Sequence, residues 1–336
     1  MKNPYVIAET AYSFEGSKQY LLDSINNVPD EVNAIKFHLL FDMDEYMVGH
    51  YTVLRDLLKK WLLPAEDWVS ILKHAKSKGK DVIILADDIA TVDFLTNNLD
   101  LVDGIEVHAA CVNDVAILDK ALLFAQRYHK RFYLGISGFV FDELKKIIAH
   151  IKRYKDVDIL LMYGFQNYPT KLENLQMNKI SFYRNVFDCP IGYADHTQAD
   201  LEIKDDIICA AYSSGVDVLE IHYTNGFREK RTDAITAYDP EHLRKLCDKL
   251  KKIQTGFGEF EIQLNEGELN YLNFRKVPVY SKQLKSEHVI SEADIVFKRV
   301  EKPKKIHQFK ETDHILGKRL VKDVDFEAEV VEEDFE

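Results

Sequence analysis

Short runs of apolar and β-branched residues recur along the first two thirds of the chain, and amphipathic segments separate them. The runs span residues 5–9, 33–38, 81–87, 104–108, 131–137, 158–164, 190–196 and 216–224. One of the separating segments, DWVSILKHAKSKG, has its apolar residues on one helical face and ends at a glycine. Alternation of this kind is typical of parallel strands joined by crossover helices, and eight such units predict an α/β fold of the TIM (β/α)8 barrel type.

The pattern changes near residue 258. The stretch DPEHLRKLCDKLKKIQTGFG predicts the last barrel helix, followed by a glycine stop. Beyond it we expect a linker at residues 259–279. Residues 280–336 show short strands and turns without long helices, which predicts a small β-rich domain. The expected organisation is therefore a barrel at 1–258 and a second domain at 280–336.

Composition narrows the possible partners. The chain has 336 residues, is 46% hydrophobic and carries a formal net charge of −12, which opposes nucleic-acid binding because that requires neutralising phosphates. No run approaches the roughly 18 uncharged apolar residues of a membrane span. The amino terminus lacks the features of a secretory signal, and the four scattered cysteines form no CxxC pair. We expect a cytoplasmic protein with reduced thiols and neither a nucleic-acid nor a membrane partner.

Polar side chains gather where the predicted strands end. In a TIM barrel the carboxyl ends of the strands carry the chemistry, so these positions are candidates for function. The residues at or just beyond such ends are Glu9, Lys36, His38, Asp87, His108, Ser137, Asp195, His196 and His222. Any one of them could simply mark a strand that reaches solvent, but the repetition favours a site.

His196 and His222 end the seventh and eighth predicted strands. Imidazoles on adjacent strands would point into one pocket and could hold a divalent metal that keeps open positions for substrate. Spacing alone leaves open the alternative that each is a hydrogen-bonded pocket residue without metal.

Five motifs in order carry a resemblance to a known family. They are VIAETAYSFEG, NAIKFH, QNYPTKLENL, IGYADHT and LEIHYT, and together the chain resembles the N-acetylneuraminate (sialic acid) synthase family. FKRV and ILGKRL resemble parts of the antifreeze-like (SAF) domain that closes these enzymes. The resemblance therefore covers both predicted domains.

The resemblance implies a transferase that condenses phosphoenolpyruvate with an N-acetylated amino sugar such as N-acetylmannosamine, giving a nonulosonic acid for surface glycan or polysaccharide synthesis. It implies a divalent metal, Mn²⁺ or Mg²⁺, with His196 and His222 as ligands and with Glu9 and Lys36 as catalytic residues. Arg299 matches an arginine that reaches into a partner's barrel, which implies a domain-swapped homodimer. The substrate-binding residues implied are His38, Ser137, Gln166, Tyr168, Asp195, Asp233 and Arg299.

The sequence departs from the family where phosphoenolpyruvate would bind. The family has a lysine and a serine at the end of strand four, a serine after strand five, a serine before the Asp-His pair and a lysine before the last histidine. Here those positions hold Glu106, Ala109, Ile136, Ala194 and Ile221. Each lost charge-assisted hydrogen bond would cost about 1.5–3 kcal/mol of donor binding. Lys36, Arg228 or Arg231 could compensate if they occupy the vacancy.

Three functions stay open on these observations. The first is a nonulosonate synthase with a rearranged donor pocket. The second is a metal-dependent aldolase, lyase or isomerase that acts on a sugar or sugar nucleotide without phosphoenolpyruvate. The third is a catalytically silent binding homologue, against which the retained Glu9, Lys36, His196, His222 and Arg299 argue. The acceptor sugar and the metal are not identified by the sequence.

Overall fold

The computed structural model describes residues 4–50, 52–164, 167–258, 262–306, 308 and 310–336. The chain divides into two compact units, Met1–Gly258 and Glu259–Glu336. The segment expected to be a linker, 259–279, belongs to the second unit and contains a helix and a strand. None of the helices in the described residues combines the length and the apolar character needed to cross a lipid bilayer.

The first unit is a closed barrel of parallel strands, each hydrogen-bonded to the next and the eighth to the first. The predicted TIM barrel is confirmed, with each strand within two residues of its predicted ends. The strands are β1 Tyr5–Glu9, β2 Ala34–Leu39, β3 Asp81–Ala86, β4 Gly104–Val107, β5 Arg131–Gly135, β6 Ile159–Tyr163, β7 Ile191–Asp195 and β8 Val218–His222.

Helices follow the strands and cover the outside of the barrel. The last begins after Asp239, whose side chain accepts a hydrogen bond from the backbone N–H of His242, and a proline occupies its first turn. The helices of this unit are α1 Lys18–Asn27, α2 Met43–Tyr46, α3 Thr52–Trp61, α4 Ala65–Ser77, α5 Ile89–Thr96, α6 Val115–Tyr128, α7 Phe141–Ile151, α8 Leu172–Leu175, α9 Asn178–Phe187, α10 Lys204–Ser213 and α11 Pro240–Phe257.

Two apolar clusters follow from the alternation of side chains along the strands. The larger lies between strands and helices and includes Leu219 and Ile221 of β8. The smaller fills the barrel interior and includes Val218 of the same strand. Because residues two apart share a face, Glu220 and His222 point into the barrel with Val218. The barrel interior is therefore apolar towards the amino ends of the strands and polar at their carboxyl ends.

The second unit contains α12 (Glu266–Leu272) and an antiparallel pair of strands, β9 (Lys276–Tyr280) and β10 (Ile295–Arg299). Its own apolar cluster includes Tyr280, Leu320 and Val330. The predicted small C-terminal β-rich unit is confirmed in this form.

Candidate active site

Strand register places three of the candidate residues at one level of the barrel mouth. Glu9, at the end of β1, pairs with Lys36 of β2 on one side and with His222 of β8 on the other. All three are buried, at 3%, 1% and 2% exposure. Charged groups this deep must be paired to be stable, and their partners define the site.

Lys36 lies among three carboxylates. Its Nζ donates hydrogen bonds to Glu106 Oε2 and Glu220 Oε2, each at 2.8 Å, and lies 3.2 Å from Glu9 Oε1. The carboxylates come from β4, β8 and β1, so the ion cluster ties opposite sides of the barrel together. Removing one partner of a buried pair leaves an uncompensated charge, which makes this cluster strongly interdependent.

The pKa values in this cluster shift in opposite directions. Burial raises the pKa of Glu9, but Lys36, His222 and His38 outweigh it and hold that pKa well below its usual range. Burial, with the charge of Glu9 next in importance, raises the pKa of Glu220 well above its usual range. Burial lowers the pKa of Lys36, and the surrounding carboxylates reverse this and raise it. Glu9 is accordingly the ionised carboxylate, Glu220 holds its proton, and Lys36 stays charged.

His38 continues the polar network along β2. Its Nε2 donates to Glu9 Oε1 at 2.8 Å, and its Nδ1 lies 3.8 Å from Asp87 Oδ2. The hydroxyl of Tyr12 donates to the same Asp87 oxygen at 3.0 Å, and the Tyr12 ring meets the imidazole edge-on at 5.0 Å between centroids. Burial lowers the pKa of His38, but Glu9 and Asp87 raise it above its usual value.

Glu9, His196 and His222 form the one group of potential metal ligands in the described part of the chain. Their ligand atoms all lie within 4.8 Å of one another, and all three residues are buried. The imidazole rings of the two histidines are 4.7 Å apart and perpendicular. Two imidazoles and a carboxylate are a donor set that suits Mn²⁺, Zn²⁺ or Fe²⁺.

The His222 imidazole has a polar neighbour at each nitrogen. The Thr236 hydroxyl lies 3.0 Å from Nδ1 and 3.1 Å from the carbonyl oxygen of Asp233, and Nε2 lies 3.2 Å from Glu9 Oε2. In one tautomer Nε2–H donates to Glu9 and the Thr236 hydroxyl donates to Nδ1. With a divalent cation bound at Nε2, Nδ1 would carry the proton and donate to the hydroxyl, which would in turn donate to Asp233.

The neighbouring His196 also fits a cation. Its Nδ1 is buried and has no hydrogen-bond partner among the described residues. Burial, and then the nearby His222, lowers the pKa of His196 well below its usual value, so the ring is neutral, the form that binds metal. The residues present are thus compatible with the divalent metal that the sequence predicts.

Tyr168 lies over the two imidazoles. Its ring stacks on His222 with centroids 5.5 Å apart and meets His196 edge-on at 5.2 Å, and it is 38% exposed. Asp233 Oδ2 accepts from the backbone N–H of Tyr12 at 3.3 Å. Tyr168 therefore packs against the histidine pair, and Asp233 lies in the loop after β8 whose Thr236 contacts His222.

A small cavity opens beside the cluster. Its lining residues are Glu9, Lys36, Glu106, His108, Ala109, Gly135, Met162, Gly164, Tyr168, Ala194, His196 and Glu220. Burial, with the charges of His38 and Lys36 next, lowers the pKa of His108 to about 4, so that imidazole is neutral.

Not all departures from the family pattern reach this cavity. Glu106, Ala109 and Ala194 line it. Ile136 and Ile221 instead pack in the apolar layer between strands and helices, because they fall on the outward face of their strands. Changes at those two positions therefore do not alter the cavity lining directly.

Other predicted substrate residues have structural partners or lie elsewhere. Ser137 Oγ accepts from Gly164 N at 3.1 Å. The Asp195 carboxylate is buried and accepts from Lys204, from Tyr193 at 3.0 Å and from the Thr197 hydroxyl. Asp195 thus fixes the loop after β7 and does not line the cavity.

Two predicted contacts belong to the second unit or fall outside the described residues. Arg299 is exposed on β10 of the second unit, with its guanidinium 5.1 Å from the Phe274 ring. Gln166 falls outside the residues that the structure describes.

The arginines that could have compensated on the donor side are engaged by other groups. Arg228 pairs with Asp200 at 2.8 Å. Arg231 bonds to the carbonyl oxygen of Ser13 and lies 4.2 Å from the Tyr20 ring. Neither arginine lines the cavity.

Two residues of the candidate site, Glu220 and Thr236, are not among the predicted site residues. Glu220 precedes His222 by two residues, and strand periodicity alone could have placed both on the interior face. Thr236 lies in the loop after β8, and nothing in its surrounding sequence marks it as the partner of an imidazole.

Fold and site together define a TIM-barrel enzyme with a buried lysine–carboxylate cluster and a potential metal site at the carboxyl ends of its strands. The NeuB family model matches residues 40–261. The chain belongs to the NeuB family.

Named relatives agree with this assignment. The N,N'-diacetyllegionaminic acid synthase of Campylobacter jejuni is 26% identical over 72% of this chain and 70% of its own. A putative spore coat polysaccharide biosynthesis protein E from Chromobacterium violaceum has a similar fold, with a TM-score of 0.82 over 99% of both chains at 17% identity. The N-acetylneuraminic acid synthetase of Leptospira borgpetersenii has a TM-score of 0.71 over 81% of this chain and 91% of its own, at 19% identity. The chain is accordingly a carbon–carbon bond-forming transferase of the nonulosonate synthase type.

Proposed function

We propose that the chain joins a three-carbon pyruvyl unit to the aldehyde of an N-acetylated amino sugar of the N-acetylmannosamine type, giving a nonulosonic acid. The observation that carries the proposal is the convergence of Glu9, His196 and His222 at the mouth of a NeuB-family barrel. Phosphoenolpyruvate is the donor that the family resemblance implies.

The acceptor would lie on the histidine side of the mouth. A divalent ion held by His196 and His222, with Glu9 beside them, would polarise the aldehyde oxygen of the open-chain sugar. Tyr168 offers an exposed ring and hydroxyl against which the sugar can bind. Glu9 is held ionised and bonded to His38, so it can accept a hydrogen bond from a sugar hydroxyl and orient the aldehyde. The family resemblance implies Mn²⁺ or Mg²⁺, and of these two the imidazole ligands favour Mn²⁺.

The proposed context is cytoplasmic synthesis of a surface-glycan precursor. Relatives named for legionaminic acid synthesis and for spore coat polysaccharide support it. The antifreeze-like character of the second unit and a domain-swapped homodimer, with Arg299 reaching a partner's barrel, remain part of this proposal.

The test is product formation by metal-loaded protein with N-acetylmannosamine and each of two donors, phosphoenolpyruvate and pyruvate. Mass spectrometry should show a nine-carbon-backbone 2-oxo acid with at least one donor. His222→Gln should abolish product and metal binding together, whereas His74→Gln, on helix α4, should affect neither. Absence of product with any N-acetylated amino sugar aldehyde would refute the proposal.

A second candidate keeps the same acceptor but dispenses with phosphoenolpyruvate, as a metal-dependent aldolase or lyase does. One specific observation favours it: the lysine expected near the reacting oxygens, Lys36, is surrounded by Glu9, Glu106 and Glu220 at 3.2 Å or less.

A further inference from the structure

We propose that Glu15 is a positioning residue for the acceptor sugar: it fixes the loop after β8 so that Asp233 stays within reach of that sugar. The inference rests on the proposed function, because it takes the sugar as the ligand of Asp233. It concerns a contact between two loops, residues 10–17 after β1 and residues 223–239 after β8. The loops are neighbours because β1 pairs with β8 when the barrel closes.

The Glu15 carboxylate binds the second loop directly. Its Oε1 accepts hydrogen bonds from the backbone N–H of Thr232 at 2.9 Å and from the Thr232 hydroxyl at 3.0 Å. Its Oε2 lies 3.4 Å from a guanidinium nitrogen of Arg231, and that nitrogen donates to the carbonyl oxygen of Ser13 at 3.2 Å. A carboxylate that accepts from a backbone N–H restrains the main chain itself. Glu15 therefore holds the residue that immediately precedes Asp233.

Tyr20, on α1, adds further contacts to the same loop. Its hydroxyl donates to Glu229 Oε2 at 2.6 Å and accepts from the backbone N–H of Asn225 at 3.1 Å. The Arg231 guanidinium lies 4.2 Å from the centre of the Tyr20 ring and 3.6 Å from Glu229 Oε2. The loop after β8 is therefore held at successive points by side chains of the first loop and of α1.

The backbone of both loops depends on such contacts. Glu15 and Asp233 have left-handed backbone conformations, with φ of 45° and 63°, although neither is a glycine. Residues with a Cβ persist in this region only where the surrounding structure holds them, and they are common at ligand sites. Without the Glu15 carboxylate, we expect the backbone at residues 232–233 to sample other conformations.

Asp233 connects this contact to the candidate site. Its Oδ2 accepts from the backbone N–H of Tyr12 at 3.3 Å, and its carbonyl oxygen lies 3.1 Å from the Thr236 hydroxyl. That hydroxyl lies 3.0 Å from His222 Nδ1. Burial raises the pKa of Tyr168, and the charge of Asp233 adds to the increase, so the two groups are electrostatic neighbours. The loop that Glu15 holds thus carries both a predicted sugar contact and the partner of a potential metal ligand.

The experiment uses metal-loaded protein, calorimetric titration with N-acetylmannosamine, and kinetics with phosphoenolpyruvate as donor. Glu15→Met removes both carboxylate oxygens. It should weaken sugar binding and raise the sugar KM at least about fivefold, because fewer molecules hold the loop in the binding conformation. The kcat and the KM for phosphoenolpyruvate should change less than about twofold. Glu15→Gln keeps a carbonyl oxygen for Thr232 and should restore most of the affinity, since the lost ion pair with Arg231 is partly exposed and contributes little.

Asp103→Leu is the matched control. Asp103 also accepts from a backbone N–H, that of Val82 at 2.7 Å, and pairs with Lys76, but it precedes β4 at the amino end of the barrel. Its side chain is 35% exposed, against 31% for Glu15. The control should lower stability as Glu15→Met does and leave sugar binding unchanged.

Equal sugar affinity in Glu15→Met and the unsubstituted protein overturns the inference, and so does an equal loss in Asp103→Leu, which would indicate general destabilisation. Absence of sugar binding to the unsubstituted protein also overturns it. Thr232→Val removes one of the two hydrogen bonds to Glu15 and should weaken sugar binding by a smaller factor, so it tests the same contact if Glu15→Met does not fold. If the sugar binds but no product forms, the proposed function fails, and the titrations still decide the role of Glu15.

Discussion

Thr236→Val should weaken metal binding by removing one hydroxyl that does not touch the metal. The hydroxyl of Thr236 is fully buried and lies 3.0 Å from His222 Nδ1 and 3.1 Å from the carbonyl oxygen of Asp233. When Nε2 binds a metal, Nδ1 carries the proton and donates to this hydroxyl, which donates to Asp233. Valine keeps the shape but leaves Nδ1–H without a buried acceptor. Without that acceptor, the tautomer that leaves the Nε2 lone pair free for a metal is no longer favoured.

The expected loss of metal affinity can be taken from the general effect of residues that hydrogen-bond to a metal ligand. Losing the hydrogen-bond partner of a metal-ligating imidazole costs about 10–100-fold in metal affinity. That corresponds to about 1.4–2.7 kcal/mol. Competition for Mn²⁺ with a fluorescent chelator measures the affinity, and ¹⁵N chemical shifts of the imidazole report whether Nδ1 still carries the proton.

Thr91→Val is the control for this prediction. Thr91 is equally buried, and its hydroxyl donates to the carbonyl oxygen of Leu39 at 3.1 Å, with no imidazole involved. Both variants should lose about 1 kcal/mol of folding stability, but only Thr236→Val should lose metal. Equal metal affinity in both variants, with the tautomer of His222 unchanged, would show that the threonine does not position the ring.

Three further substitutions test the buried charges by urea denaturation. Lys36→Met leaves its carboxylates without a counter-charge and should lower the free energy of unfolding by about 3–5 kcal/mol; a loss below 1 kcal/mol would contradict the described cluster. Lys204→Met should cost a similar amount, because Lys204 bonds to Asp195 and to the carbonyl oxygens of Thr197 and Thr236. Lys245→Met, in an exposed pair with Glu241, should leave the free energy of unfolding nearly unchanged. Burial raises the pKa of Asp87 from 3.8 to about 6, so the folded state holds this proton more tightly than the unfolded state and stability falls as pH rises through that window. Asp87→Asn should therefore stabilise the protein by up to about 3 kcal/mol above pH 6, the gain should vanish below about pH 4, and a gain independent of pH would contradict this explanation.

The sequence was informative about the barrel because its strands carry a strong local signal. Strands buried on both faces must be apolar and β-branched, so DVIILAD and RFYLGIS stand out from the helices between them. The histidine pair was predictable for a related reason: equivalent ends of adjacent parallel strands converge in a barrel.

The electrostatic arrangement of the site cannot be predicted from local sequence patterns. Lys36 meets Glu106 and Glu220 across 70 and 184 positions of sequence, and only barrel closure brings them together. For the same reason, the family resemblance implies a lost donor-side lysine at Ile221, although the Ile221 side chain packs on the outer face of β8. Asp195 is adjacent to His196 in the sequence, but its carboxylate accepts a hydrogen bond from Lys204, because neighbouring residues on a strand point to opposite sides.

The lysine–carboxylate cluster also restricts how such a barrel can change during evolution. Restoring lysine at position 106 alone would place a second ammonium beside Lys36 and remove one of its three anionic neighbours. If position 220 had already lost its glutamate, lysine at position 106 would leave two ammonium groups with Glu9 as the remaining neighbouring carboxylate. Because these groups share one ammonium, we expect the effects of substitutions at positions 106 and 220 to be non-additive.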